Sequence, residues 1–320
     1  MTGLYFVFIT ALLIAAAYIY FKIADHYGII DKPNHRSSHL HVTIRGGGIV
    51  FPIAMIMYPI FFGNNYGYFL CGMLIISVIS FIDDIRPVSN RIRILFHIIA
   101  VILLFLQMNT FDFPWYVIAI SLFVIIGIIN AVNFMDGING ITGTYCLVTL
   151  LSLLFINRVM DTYIDSSFIV LPAIALLVFN FFNFRKNARC FAGDVGSVSI
   201  AYLIVFLMGI LIFKTHNPSY LLLLLIYGLD AVTTIFFRFL RKENIFEAHR
   251  SHYYQFLANE KGFPQLQVSL GYALIQGAVN VLLVTFLIGS FLYSAIFTLF
   301  LAGGFITLRI RTEGKKLYTG

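Results

Sequence analysis

Five short polar clusters interrupt an otherwise apolar chain, and each combines residue types that handle anions or hard cations. Asp83-Asp84-Ile85-Arg86-Pro87 sets two carboxylates side by side, able to hold a divalent cation or to take a proton from a nucleophile. Solvated, helix-ending acids balanced by Arg86 are the plainer use of the same pair. In Asn130-Ala131-Val132-Asn133-Phe134-Met135-Asp136-Gly137-Ile138-Asn139-Gly140 the three-residue spacing of Asn130, Asn133 and Asp136 puts them on one helical face. Amide and carboxylate oxygens so arranged suit a hard cation or a nucleotide, and the glycines leave room for a phosphate. An Asx turn would account for Asp136-Gly137 but not for two asparagines on the preceding apolar turn. In Phe191-Ala192-Gly193-Asp194-Val195-Gly196-Ser197, Asp194 has the position of a helix N-cap, at an end that also attracts phosphate. One aspartate can serve both as cap and as magnesium ligand.

The remaining two clusters are basic. His249-Arg250-Ser251-His252 follows Arg238, Arg241 and Lys242 but has no second pair and no cysteine nearby, which disfavours zinc. A cationic clamp for a diphosphate fits these residues better, with contact to lipid headgroups as the competing use. Asp31-Lys32-Pro33-Asn34-His35-Arg36-Ser37-Ser38-His39 leads to Arg45-Gly46-Gly47-Gly48, where glycine N–H groups beside Lys32, Arg36 and Arg45 could approach an anion. Close helix packing is the other use of such glycines.

The elements that must position these clusters are membrane spans. Hydrophobic residues make up 60% of the 320 and charged residues only 11%, which excludes a disordered chain, a disulfide-stapled secreted module and an ordinary cytosolic enzyme. Cys71, Cys146 and Cys190 form no C-x-x-C pair. Charge-free runs predict spans in Met1–Phe21, two in Gly46–Ile82 with a turn at Gly63-Asn64-Asn65, then Ile94–Phe111, Phe113–Met135, Gly137–Asn157, Ser166–Phe184, Val195–Phe213 and Thr215–Phe237. Gly262–Leu308 supplies two more, folding back at Gly289-Ser290, and brings the expected total to eleven. The expected fold is therefore all-α and polytopic, one integral membrane domain over residues 1–320. The first segment lacks a basic leader and a clear cleavage site, so it is expected to be retained as a helix.

With the Lys22–Arg45 loop placed inside, only Arg158 and Lys214 among the basic residues fall outside. The positive-inside rule then puts the N-terminus in the periplasm and the C-terminus in the cytoplasm. It also explains the net charge of +7 without a nucleic-acid partner. On this topology Asp83, Asp84, Asp136 and Asp194 all lie at the cytoplasmic face, with Asp230 about two turns inward.

Taken in order, the five clusters resemble the successive cytoplasmic motifs of the polyprenyl-phosphate N-acetylhexosamine-1-phosphate transferases, glycosyltransferase family 4. The resemblance extends over residues 31–252 and is nearest to the branch that initiates bacterial O-antigen and related polysaccharides. The branch that makes the first peptidoglycan lipid has a loop richer in consecutive histidines. The resemblance implies a multi-pass protein of the bacterial inner membrane, with its site facing the cytoplasm. It implies transfer of a sugar 1-phosphate from a UDP-N-acetylhexosamine to undecaprenyl phosphate, releasing UMP, with Mg2+ or Mn2+. It also implies roles: Asp83, Asp84 and Asp194 catalytic; Asp194 and Asn133 at the metal; Lys32, Arg36, Arg45, Asn130, Asn133, Asp136, His249, Arg250 and His252 around the substrates. The family segment often reads Asp-Gly-x-Asp-Gly, and here the second acid is Asn139, which leaves Asp136 as the charged member.

Other classes remain open on the residues alone. Eleven spans with intramembrane acids also suit an ion-coupled secondary transporter, whose site should sit near the bilayer midplane on broken helices. A lipid-carrier binding or flipping protein and the peptidoglycan phospho-MurNAc-pentapeptide reaction are further alternatives. Glycine-bearing spans are compatible with a homodimer. The identity of the sugar depends on a few pocket contacts that residue types do not reveal.

Overall fold

In lipid each backbone N–H and C=O must be paired within its own segment, so apolar runs long enough to cross the hydrocarbon core become helices. The computed structural model, which describes residues 2–32, 42–63, 65–244 and 250–319, obeys this rule. Among the described residues ten helical segments are long and apolar enough to cross a membrane, and they build an all-α polytopic protein. They are α1 (Thr2–Tyr27), α3 (Gly67–Ile85), α4 (Asn90–Met108), α5 (Trp115–Phe134), α6 (Ile141–Val159), α7 (Ser166–Asn183) and α8 (Gly193–Thr215). After these come α9 (Leu225–Leu240) with its leading 3-10 turn Pro218–Leu224, α11 (Gln265–Leu282) with a π-helical extension to Leu287, and α12 (Phe291–Glu313); the three-residue α10 (Tyr253–Gln255) between α9 and α11 is too short to cross.

The second of the eleven expected spans is shorter than the rest. It comprises the 3-10 turn Gly47–Ile49 and α2 (Val50–Phe62), 3 and 13 residues. These rise about 25 Å in total, against roughly 30 Å of hydrocarbon. The reason lies in how the long uncharged run is shared. α3 continues past Ile82 through Asp83 and Asp84 to Ile85, while Gly46–Gly48 are folded against the start of α8. Of the expected turn, Gly63 closes α2 with φ of 95°, and Asn64 lies outside the described residues.

α8 is the central span, the most buried of those that could cross a membrane, whereas few residues of α5 and α12 are fully buried. Without a hydrophobic drive between helices in lipid, small residues that permit close approach decide which spans meet. Gly196, Ser197, Ser199 and Ala201, all buried on α8, provide that here. α3 and α5 pack along α8, α4 along α3, α6 between α7 and α11, and α2 along α7. Before α2 a two-residue antiparallel ribbon, β1 (Ile30–Asp31) on β2 (Thr43–Ile44), holds the loop down, and a bridge from Ile44 to Cys190 ties it to the segment leading into α8.

One close contact, between the loop and the α8 entrance, is between backbones. A Cβ at Gly48 would stand 2.3 Å from the Gly196 Cα, and one at Gly47 2.4 Å from Cys190 Sγ. The Gly47 and Gly48 N–H groups donate to the carbonyls of Phe191 (2.8 Å) and Ala192 (3.0 Å). This corrects the expectation that these N–H groups face an anion: they are spent joining the loop to the α8 entrance. Gly48→Ala should therefore lower stability by about 1–3 kcal/mol through overpacking against backbone that cannot turn aside. Thermal unfolding of the purified variant checks this, and a wild-type melting temperature would show that the contact yields.

Candidate active site

All the acidic clusters meet at one end of the bundle, where α3 and α5 finish, α4 and α8 begin, and the loop after α1 returns. Asp84, in the last turn of α3, has a fully buried side chain. Its Oδ1 accepts from Arg45 Nε (2.7 Å) and Asp194 N (2.8 Å), and its Oδ2 from Val195 N (3.0 Å). Asp84 is thus the cap of α8, supplied from another span. The expectation that Asp194 caps its own helix is corrected: the N-cap is Ala192, with no side-chain bond. The first amides of α8 are likewise occupied by Asp84 rather than open to a phosphate. Gly193, at φ of +70°, makes the approach feasible, because a Cβ there would meet Asp84 Oδ2 at 2.5 Å.

With its own helix capped from outside, the Asp194 side chain is released towards Asp83. The two carboxyl groups lie close enough to share a proton. Two carboxyls in such contact remain together only with a proton or a cation between them. Two arginines flank the pair: Arg93 Nη1 lies 3.0 Å from Asp83 Oδ2 and 3.7 Å from Asp194 Oδ2, and Arg45 Nη2 lies 3.7 Å from Asp194 Oδ1. Asp83 Oδ1 also accepts from Val88 N at 2.5 Å, which turns the chain from α3 towards α4. With the pair fully ionised, three aspartates against two arginines would leave an excess of negative charge that a divalent cation, in place of the proton, would offset.

Asn133 joins this group from the last turn of α5. With its amide oriented to satisfy every neighbour, Nδ2 donates to Ser197 Oγ (2.6 Å) and Asp194 Oδ1 (3.2 Å), and Oδ1 accepts from Arg93 Nη2 (3.1 Å). Asn130, one turn earlier, donates instead to the Ile126 carbonyl of its own helix (2.9 Å). Asn139 is buried and structural. Its Nδ2 donates to the carbonyls of Arg185 (2.9 Å) and Lys186 (3.2 Å), and its own carbonyl accepts from Ser269 Oγ (2.7 Å), which ties together three segments of the same end.

Asp136 sits half-buried in the loop between α5 and α6. Burial pushes its pKa up to about 6, and the nearby charge of Asp84 adds to the rise. A carboxyl whose folded pKa exceeds its unfolded value favours folding below the unfolded value, near 3.8, and loses that contribution as pH rises through about 6. Asp136→Asn should therefore be more stable than wild type at pH 7–8, with the difference disappearing towards pH 4. Melting temperatures of both proteins across that range test this; a variant less stable at pH 8 would contradict it.

A second buried aspartate works as Asp84 does. Asp230 in α9 has no exposed surface. Its Oδ1 accepts from Tyr253 N (2.9 Å) and Thr234 Oγ1 (3.2 Å), and its Oδ2 from Tyr254 N (3.2 Å) and Tyr272 Oη (2.6 Å). His252 is buried, with Nδ1 3.3 Å from Asp230 Oδ1, so its ring is turned into the bundle. Arg250 lies half-buried beside Tyr254. Tyr254 Oη donates to the Phe134 carbonyl (3.1 Å), and a Cβ at Gly137 would meet that hydroxyl at 2.2 Å. The basic segment is thereby packed on the Asp136-Gly137 turn.

Arg238 and Arg241 do not extend this basic surface. Both bond Glu243, through Nε at 2.8 Å and 2.5 Å, and their side chains are nearly fully buried. These bonds, above all from Arg241, hold the Glu243 carboxyl down at about 2. Lys32 is exposed directly after β1; Arg36 and His249 lie outside the described residues.

The motifs single out Asp83, Asp84, Asn133, Asp136 and Asp194, and the structure brings these to one end of the bundle. They did not single out Arg93, although its spacing from Asn90 at the start of a span marks it as facing the loop end. Nor did they single out Tyr20, whose hydroxyl donates to the Arg45 carbonyl (2.6 Å). Nothing in the local pattern marks that residue.

Residues 66–212 match the model of a family described as Glycosyl transferase family 4. The matched stretch runs from the entrance of α3 nearly to the end of α8 and so contains Asp83, Asp84, Arg93, Asn133, Asp136 and Asp194. It supports the family resemblance of the motifs and points to a phosphosugar transferase embedded in the membrane. No curated protein matches the chain.

Proposed function

We propose that the protein transfers an N-acetylhexosamine 1-phosphate from a UDP-sugar to undecaprenyl phosphate, releasing UMP, at the cytoplasmic face of a bacterial inner membrane. In that setting it would start O-antigen or another cell-surface polysaccharide. The observation that carries this reading is the contact of Asp83 with Asp194, braced by Arg45 and Arg93 at one end of a bundle of apolar spans.

A lipid phosphate and a nucleotide diphosphate are both anions, and bringing them within attack distance in a low-dielectric setting requires positive charge around them. Arg45, Arg93, Arg250 and Lys32 supply it here. In the reaction an oxygen of the lipid phosphate attacks the β-phosphorus of the UDP-sugar, and the bond to the bridging oxygen breaks, so that UMP leaves with that oxygen. Asp83 orients the lipid phosphate and accepts its proton where it carries one. Asp84 acts indirectly, fixing the α8 entrance and the Arg45 guanidinium.

The donor set suits magnesium. Asp83 and Asp194 offer adjacent hard oxygens, whereas Asn133, whose Nδ2 faces Asp194 while its Oδ1 is taken by Arg93, would have to turn its amide to add a third; magnesium is commonly held by one or two carboxylates plus substrate phosphates. No group of three or more His, Cys, Asp or Glu with a metal-binding arrangement occurs among the described residues, which is compatible with that sparse mode. Bound there, magnesium would neutralise phosphate charge and orient the leaving group.

The transporter reading draws least from the structure. Asp230, the acid placed deepest in a span by sequence, is occupied as a cap rather than left facing a pathway. Purified protein incubated with a panel of UDP-sugars tests the enzyme reading. UMP should appear only when polyprenyl phosphate and magnesium are both present, and preferentially with UDP-N-acetylhexosamines. UMP release that ignores the lipid acceptor, or none with any N-acetylated donor, would rule it out.

A further inference from the structure

We propose that Asp230 and Arg309, neither of which can touch substrate, are positioning residues that set Arg250 in place, so that the last span takes part in nucleotide-sugar recognition. This rests on the reading of Arg250 as a diphosphate-binding group.

Arg309 is the largest fully buried side chain of the protein, and it lies on α12, otherwise the most outward-facing of the candidate spans. A buried guanidinium is retained only where its donors are met. Here Nη1 donates to Thr233 Oγ1 (3.0 Å) and Thr234 Oγ1 (2.8 Å), Nε and Nη2 bond Glu313, and Nη2 donates to the Ser251 carbonyl (2.9 Å). The residue so held is the immediate neighbour of Arg250. From the other side Asp230 grips the amides of Tyr253 and Tyr254. Thr234 belongs to both sets, bonded to Asp230 Oδ1 and to Arg309 Nη1, so the two charges act as one bracket.

Burying a carboxylate and a guanidinium merely to close a helical bundle would cost more than apolar packing would. What these two obtain is a fixed backbone at residues 251–254. Arg250 opens that stretch, and Tyr254 closes it against the Phe134 carbonyl beside the acidic turn. The distance from Arg250 to the Asp136 side of the site is therefore set by residues on α9 and α12.

The test joins steady-state kinetics to amide exchange. In Asp230→Asn and Arg309→Lys, KM for the UDP-sugar should rise about tenfold while kcat and KM for polyprenyl phosphate stay within about twofold. Arg250→Ala should show the same split, and Asp230→Asn combined with Arg250→Ala should be no worse than Arg250→Ala alone. Exchange at the Tyr253 and Tyr254 amides should quicken at least tenfold in Asp230→Asn, with the Asp194 and Val195 amides unchanged. If Asp230→Asn does not fold, Tyr272→Phe removes one hydrogen bond to the same carboxylate and should give a smaller change of the same kind. Additive losses in the double variant, parallel rises in both KM values, or faster exchange with unchanged kinetics would overturn the inference. An Arg250→Ala enzyme with unaltered KM would instead remove the diphosphate reading, and this inference with it.

Discussion

Asp194→Asn should reduce transfer about a thousandfold, the scale on which removing one preorganised electrostatic group acts, while the protein still inserts and folds. The asparagine has the same shape and keeps one oxygen towards Arg45 or Arg93, while its NH2 faces the other across a contact of 3.7 Å that is already loose. The α8 entrance is held by the Asp194 backbone amide on Asp84, which the substitution leaves in place. Losing one of two carboxyls in contact also relieves like-charge crowding, so the melting temperature should stay level or rise, as is common where a site is built at the expense of stability. UMP release and thermal unfolding on the same preparation check both halves. A folded variant with substantial magnesium-dependent activity would remove Asp194 from the chemistry.

Asp84→Asn should behave differently, and the difference separates a positioning aspartate from a reacting one. Its carboxylate receives three donors, one of them a guanidinium, with no exposed surface of its own. The amide would turn an NH2 group towards at least one of those donors and leave Arg45 without its ion-pair partner. Stability should fall by about 3 kcal/mol, somewhat less than for a fully buried pair because Arg45 is partly exposed. Activity should fall with it, since Arg45 and the Asp194 backbone both lose their anchor. Wild-type stability combined with lost activity would mean that Asp84 reacts directly.

The course of the spans was legible because hydropathy is a sum over many residues and survives without knowledge of neighbours. The Gly46–Ile82 run reads as two spans, and the shortness of α2 was not legible in it, because α3 continues beyond the uncharged run to Ile85. The aspartates were legible because charge is rare in such a chain and each one stands out. Their partners were not. Asp84 caps a helix that begins more than a hundred residues later, and a capping pattern read along the chain can only nominate the nearest acid, which was Asp194. Gly46-Gly47-Gly48 had two uses, and only the closeness of Gly48 to Gly196, where a Cβ would stand 2.3 Å from the Gly196 Cα, decides for packing. Asp230, Tyr272 and Arg309 lie on three spans with no shared motif, so their meeting is a property of the tertiary fold alone.

The placement of Asp83, Asp194 and the flanking arginines makes one central claim: the phosphorus next to the sugar moves with it to the lipid. A UDP-N-acetylhexosamine labelled with 32P at the β-phosphate, incubated with purified protein, undecaprenyl phosphate and magnesium, follows that atom directly. Label passing into the lipid fraction with unlabelled UMP left in water is the expected result. Label remaining in water as UDP, with sugar alone on the lipid or no lipid product at all, would contradict it.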